Sequence, residues 1–240
     1  MQQGRSAAAF TDLSLTIPSI DLSDQSTTAL VMIDIQYSDA AAGHGWVKAC
    51  DAIEPGSMDY YIDRLEGVAL PAMRRLLDAF RVEKRPIIHL AIGSAYQDLR
   101  DCPQRFRSWT RVLETASGID DLWWMGNPDY AFRDEVSPLK EETVLRKTSQ
   151  GAFNGSEIQN VLDRMGIKNL VLAGVVTSCC VETTARDAAD RGFGCILVAD
   201  ACADCDQELH DAALKNFGLY FGRVAETEEV ISALKAGSSI

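Results

Sequence analysis

The chain reads as an α/β protein, three layers deep, with helices covering both faces of a mainly parallel six-stranded sheet. Two observations predict it. Short apolar runs alternate with amphipathic stretches of helical length, and several runs are apolar throughout, as strands buried on both faces must be. The runs occupy 29–33, 86–92, 143–145, 169–176, 194–198 and 222–225. Between them, Leu70, Met73, Leu76, Leu77 and Phe80 share one face of a helix over 68–82, and Ile158, Val161, Leu162 and Met165 share one face over 156–165. The stretch 181–191 carries a narrow stripe of Val181, Thr184, Ala185, Ala188 and Ala189, small enough to let a helix lie close against the sheet. Two last helices are expected over 209–219 and 227–234. The segment 94–139 contains Trp109, Trp123, Trp124, Pro103, Pro128 and Pro138. It is too long for a plain connection and predicts substrate-covering loops and short helices. Residues 1–26 form an N-terminal arm, read either as packing on a neighbouring subunit or as a poorly ordered terminus, and 27–240 form one domain of Rossmann-like type.

Composition narrows the function. A 240-residue chain that is 47% hydrophobic can bury a sizeable core as one domain. A formal charge of −12 repels phosphate backbones and anionic lipid heads, so neither nucleic acid nor a membrane surface is an expected partner, and a small uncharged molecule is. No run of about 18 apolar residues is present to span a bilayer, and the only early apolar stretch, 7–10, is far short of a secretion signal. Seven cysteines scattered through apolar stretches do not form an extracellular disulfide framework and suit a reducing cytoplasm.

Ligands of open parallel sheets bind beyond the carboxyl ends of the strands, so polar residues that close apolar runs are the ones to inspect. Asp34 ends Ala-Leu-Val-Met-Ile-Asp, Lys147 ends Thr-Val-Leu-Arg-Lys, and Cys180 lies in Val-Val-Thr-Ser-Cys-Cys-Val just before a helix. Singly, each has a plain explanation: a turn-forming Asp, a solvated Lys, a core Cys. Together they make chemistry, because a thiol nucleophile is activated by a helix N-terminus and a nearby ammonium, and a carboxylate can take its proton and return it to a departing amine. Backbone N–H groups of the strand-to-helix turn can then hold the carbonyl oxygen.

These blocks resemble the isochorismatase-like cysteine hydrolases. Ala-Leu-Val-Met-Ile-Asp-Ile-Gln at 29–36, Leu-Arg-Lys-Thr-Ser-Gln-Gly-Ala-Phe at 145–153 and Gly-Val-Val-Thr-Ser-Cys-Cys-Val-Glu-Thr-Thr-Ala-Arg-Asp-Ala at 174–188 are similar to the family's signature blocks in order and spacing. Asp200-Ala-Cys-Ala-Asp through His210 to Phe217 is similar to its C-terminal block, so the likeness runs from about 27 to 236. It implies the isochorismatase-like hydrolase fold, with Cys180 as nucleophile, Asp34 and Lys147 as its partners, and Cys179 as a packing residue. It also implies a cis peptide between Val175 and Val176, an oxyanion hole from the Val176 and Cys180 amides, and a homo-oligomer, dimer or tetramer. Tyr37 and Phe153 are the candidate substrate-binding residues.

Departures from subfamily patterns shape the rest. The histidines, His44, His89 and His210, do not form the Asp-x-His metal site usual in nicotinamidases, so no metal and no cofactor is expected and that activity ranks lower. His89 and His210 read as packing residues. Cys202-Ala-Asp-Cys205 has Cys-x-x-Cys spacing but no second pair to complete a zinc site. Amide or ureide cleavage through an acyl-enzyme is the favoured reading, with a ureido or carbamoyl compound as substrate. Arg100, Arg105 and Arg107 read first as a solvated basic face and second as candidates to meet a substrate carboxylate, and Tyr37, Trp46, Trp109, Trp123 and Trp124 are candidates to line the pocket. The rival reading is a non-catalytic thiol redox sensor that uses Cys179, Cys180, Cys202 and Cys205.

Overall fold

The computed structural model describes residues 14–240. Each predicted apolar run forms a strand: β1 Thr28–Ile33, β2 Ile87–Ile92, β3 Thr143–Lys147, β4 Asn169–Val175, β5 Gly194–Ala203 and β6 Arg223–Ala225. They pair in the order β3-β2-β1-β4-β5-β6, all parallel. Alternate residues of the central strands feed two cores. Leu30, Met32, Val171, Ala173, Ile196 and Val198 face one, and Ala29, Val31, Ile33, Leu170, Leu172 and Leu197 face the other. Both faces are therefore dry, which is why these strands carry no polar alternation.

Among the described residues the helices are α1 Tyr37–Ala40, α2 Gly45–Ile53, α3 Asp59–Arg64, α4 Leu70–Val82, α5 Gln104–Ser117, α6 Ile158–Met165, α7 Glu182–Asp190, α8 Gln207–Tyr220 and α9 Thr227–Ala236. A turn of π-helix, Leu65–Ala69, joins α3 to α4. α4 and α9 cover one face through Met73, Leu76, Leu77, Phe80, Val230 and Leu234. α5, α6 and α7 cover the other through Phe106, Ile158, Leu162, Ala185 and Ala188. In α7 the small stripe is buried at Thr184, Ala185 and Ala188, as its spacing requires.

The segment 94–139 differs from its expectation. It contains a helix of 14 residues, α5, which Gly118 ends in a left-handed conformation (φ 71°). Phe106, Trp109, Thr110 and Leu113 do have helical spacing, but the polar residues between them dilute the signal. Residues 17–22 of the arm lie on the chain's own body. Ile20 pairs through both backbone groups with Ile240, at 2.8 and 3.0 Å, and Ile20 and Leu22 are buried in the α4 and α9 core. Residues 1–13 of the arm lie outside the described residues. No helix among the described residues is long and apolar enough to cross a membrane.

The strand order reverses between β1 and β4: from β1 the chain builds outward to β2 and β3, and from β4 to β5 and β6. That switch point leaves a crevice beyond the carboxyl ends of β1 and β4, because their following connections run to opposite faces.

Candidate active site

Asp34 directly follows β1 and takes a left-handed conformation (φ 56°), uncommon for a residue with a Cβ and best tolerated by Asp and Asn. Its carboxylate is buried, and neither oxygen has a donor aligned for a hydrogen bond. What it does have is charge. Lys147 closes β3, two strands away, and its long side chain brings Nζ to 2.7 Å from Asp34 Oδ2. The same ammonium donates to the carbonyls of Ser149 (3.0 Å) and Gln150 (2.9 Å), so it is held on three sides. Burial alone would lower the Lys147 pKa, but the adjacent Asp34 and Cys180 outweigh it and keep the ammonium charged. Burial pushes the Asp34 carboxyl well above the usual carboxylate range although Lys147 opposes it, making it a stronger base than an exposed aspartate.

Cys180 arrives from the other side of the switch point. After β4 the Val175–Val176 peptide is cis, and Thr177–Val181 form a turn of π-helix that leads into α7. This turn is tied down from two directions. The Asp204 carboxylate accepts the N–H groups of Ser178 (2.6 Å) and Cys205 (2.8 Å), while Thr177 Oγ1 meets His210 Nδ1 at 2.9 Å. Arg64 lies 2.7 Å from His210 Nε2. A guanidinium can only donate, so Nε2 is the acceptor and Nδ1 carries the proton toward Thr177. Burial and the Arg64 charge lower the His210 pKa to about 4, consistent with that neutral tautomer.

The sequence reasoning expected a helix terminus and an ammonium to depress the Cys180 thiol. The opposite holds: the neighbouring Cys179 thiol and burial push it well above the usual thiol value, with Lys147 acting against them. The same thiol contact lowers the pKa of the less buried Cys179. The Cys179 neighbour and burial thus both favour the protonated form of Cys180.

Asp34, Val176 and Cys180 open into one cavity of about 350 Å³. Lys147 lies beneath it, fully buried. Of the aromatic candidates, Trp46, Trp109 and Trp123 line the cavity, and Tyr37 and Trp124 do not. Tyr37 and Phe153, expected to bind substrate, face elsewhere. The Tyr37 ring packs on His44 and under the Arg133 guanidinium, and the Phe153 ring packs on Phe193 and under Arg191. Tyr37 directly follows one signature block and Phe153 ends another, but the chain turns both side chains away from the crevice. Arg105 lines the cavity from α5, whereas Arg100 stacks on Tyr96 and Arg107 bonds to Gln104. His89 is buried against Glu142 at 2.8 Å, a satisfied core residue as expected.

Among the polar residues of the cavity that the sequence did not point to are Asp39, Gln150 and Asp204. Asp204 follows β5, whose apolar run is interrupted by Asp200 and so is expected to end at 198, too early for the strand-end rule to reach Asp204. Asp39 lies in α1, too short a helix to leave a periodic signal. Gln150 lies in the loop after Lys147, where nothing distinguishes it from a turn residue.

A family model for the isochorismatase domain matches residues 28–229. The chain belongs to the isochorismatase family. Among curated relatives, it is 31% identical over 222 residues to the ureidoacrylate amidohydrolase RutB of Stutzerimonas stutzeri, covering 90% of this chain and 86% of that one. The structure of a cysteine hydrolase from Pseudomonas syringae pv. phaseolicola superposes with a TM-score of 0.73 at 20% identity, covering 89% of this chain and 95% of the other. An N-carbamoylsarcosine amidase from Thermoplasma acidophilum superposes at 0.60 with 22% identity, covering 84% and 97%. For this isochorismatase-family chain those two likenesses establish the fold, an all-parallel six-stranded sheet between helical layers.

Proposed function

We propose that this isochorismatase-family protein is a cysteine-dependent hydrolase that cleaves a C–N amide or ureide bond of a small substrate and releases ammonia or an amine. The observation that carries the reading is the meeting of a basic buried carboxylate, a charged ammonium and a thiol from β1, β3 and the turn after β4 at one rim of the sheet. Asp34 takes the Sγ–H proton as Cys180 attacks the carbonyl carbon, and the N–H groups of Val176 and Cys180 receive the developing oxyanion. The tetrahedral adduct collapses by breaking the C–N bond, and the proton held by Asp34 passes to the departing nitrogen. Water, deprotonated by Asp34, then attacks the thioester. The acid leaves and the proton returns to Sγ. Lys147 stays charged throughout and offsets the negative charge as it moves between carboxylate, sulfur and oxygen. The free thiol state of all seven cysteines suits a reducing cytoplasm.

The decisive experiment compares Cys180→Ser with Cys179→Ser in ammonia release over a panel of amides and ureides, with intact mass spectrometry to trap the acyl adduct. Loss of turnover and adduct in the first variant alone is the expected result. The opposite pattern would make the more readily ionised Cys179 the nucleophile. Reversible disulfide formation with no turnover of any compound would favour a thiol sensor.

A further inference from the structure

The cavity beside Cys180 holds a second buried carboxyl group that the hydrolytic steps do not use. Asp39 lines it, is 8% exposed, and accepts the Trp123 indole N–H at 2.8 Å on one oxygen and the Ser38 hydroxyl at 2.5 Å on the other. Those bonds pin the Trp123 ring. Phe106 and Trp109 pack on it from α5, with centroid separations of 5.0 and 5.1 Å. The acyl side of the site is therefore a rigid aromatic wall with a carboxyl group set behind it.

Charge accounting points the same way. Asp34, Asp39 and Asp204 all reach this cavity, and the buried cation beneath it, Lys147, is already engaged by Asp34 and two carbonyls. Asp204 has both oxygens committed to backbone N–H groups. The remaining cation of the lining, Arg105, is an exposed residue on α5. A substrate carboxylate brought in beside Asp39 would give up its water with no buried positive partner, a strongly unfavourable transfer. A flat apolar group loses little water worth keeping and gains contact with the parts of Phe106, Trp109 and Trp123 that line the cavity. A cavity of about 350 Å³ also exceeds what a molecule the size of biuret fills.

Resting on the hydrolase reading above, we propose that Asp39 and Trp123 form an acyl-group subsite that accepts uncharged, bulky aromatic acyl groups and rejects carboxylate-bearing ones, so that the substrate class is neutral primary amides of arylalkanoic acids. Asp39 acts twice in this subsite. It fixes the indole that the acyl group packs against, and in its ionised form its charge turns away anions, so selectivity comes from a repulsive element as well as an attractive one. In this respect the chain departs from its relative that acts on ureidoacrylate, an anion.

The test measures kcat/KM, above about pH 7 where Asp39 is ionised, for ammonia release from 2-naphthylacetamide, its ring-carboxylated analogue, ureidoacrylate and biuret, with wild type, Asp39→Asn and Trp123→Leu. Wild type should prefer the neutral naphthyl amide over its carboxylated analogue by at least about tenfold. Asp39→Asn should narrow that ratio by raising turnover of the carboxylated compound, and Trp123→Leu should raise KM for the naphthyl amide with less effect on biuret. Faster turnover of either carboxylate by wild type overturns the subsite and leaves the hydrolase reading standing. If no compound releases ammonia, the hydrolase reading falls, and calorimetry with Cys180→Ser protein decides the subsite separately. Binding of naphthylacetamide without binding of its carboxylated analogue upholds it, and any other binding pattern refutes it. Should Asp39→Asn not fold, Phe106→Ala supplies the same KM comparison.

Discussion

Lys147 and Asp34 stabilise each other only as a pair. Each is fully buried, and removing one leaves the other charged or forced to change protonation in a dry site. Lys147→Met should therefore cost about 3–5 kcal/mol of stability, read by urea denaturation. The double variant Lys147→Met with Asp34→Leu should recover most of that loss while remaining inactive. Equal instability of single and double variants would show that the pair adds no such mutual support. Asp39 has the opposite character. Burial raises its pKa from 3.8 to about 7, with the negative Asp34 adding to the effect, so the native state holds this proton more tightly than the unfolded chain does. The stability it contributes is full below about pH 4 and declines as pH rises to about 7. Asp39→Asn should thus gain on wild type in melting temperature between pH 4 and 7, with the gap level above that. A gap that does not change with pH would mean Asp39 titrates normally.

The turn that carries Cys180 depends on how β4 ends. Gly174 has φ 134°, and the β4–β5 register shifts between Leu172 and Gly174. A Cβ at Gly174 would collide with the backbone carbonyl of Ile33, the last residue of β1. Gly174→Ala should therefore destabilise by at least about 3 kcal/mol, combining an unfavourable backbone conformation with overpacking that no flexible side chain can relieve. Wild-type stability in denaturant titration would contradict this close approach. The helix side of the turn is held by α3 and α8 through Arg64, His210 and Thr177. Because α5 supplies Phe106, Trp109 and Arg105 from a segment that otherwise resembles loop, that end of the cavity is built on a helix and is correspondingly stiff.

Across the molecule, burial of neutral histidine sets its tolerance of acid. His210 has its pKa lowered to about 4 by burial and Arg64, and burial likewise lowers His89. As pH falls below 6.5 the unfolded chain takes up protons that the native protein refuses, so stability is lost from about 6.5 down to about 4 for His210. Glu142 extends the decline. Although burial opposes it, Arg81, the Leu139 N–H and His89 hold its pKa at about 2, so its contribution is full above 4.5 and fades as pH drops to about 2. His210→Asn removes one of these terms, and its stability deficit relative to wild type should shrink between pH 7 and 4 in parallel denaturant titrations. A constant deficit would mean that His210 contributes by packing alone.

All six strands, their parallel pairing and the convergence of Asp34, Lys147 and Cys180 were legible in the order of residues. An apolar run closed by a polar side chain is a local signal, and a parallel sheet brings the carboxyl ends of its strands to one rim. Protonation was not legible: the Cys180 pKa is raised and not lowered, because the neighbouring Cys179 thiol and burial outweigh the ammonium. Nor was the pocket. Tyr37 and Phe153 stand at the ends of signature blocks in the chain yet face away, while Asp39, Trp123 and Arg105 reach the cavity from separate segments. Burial and side-chain direction depend on which distant elements pack together, and that packing has no signature within a short stretch of sequence.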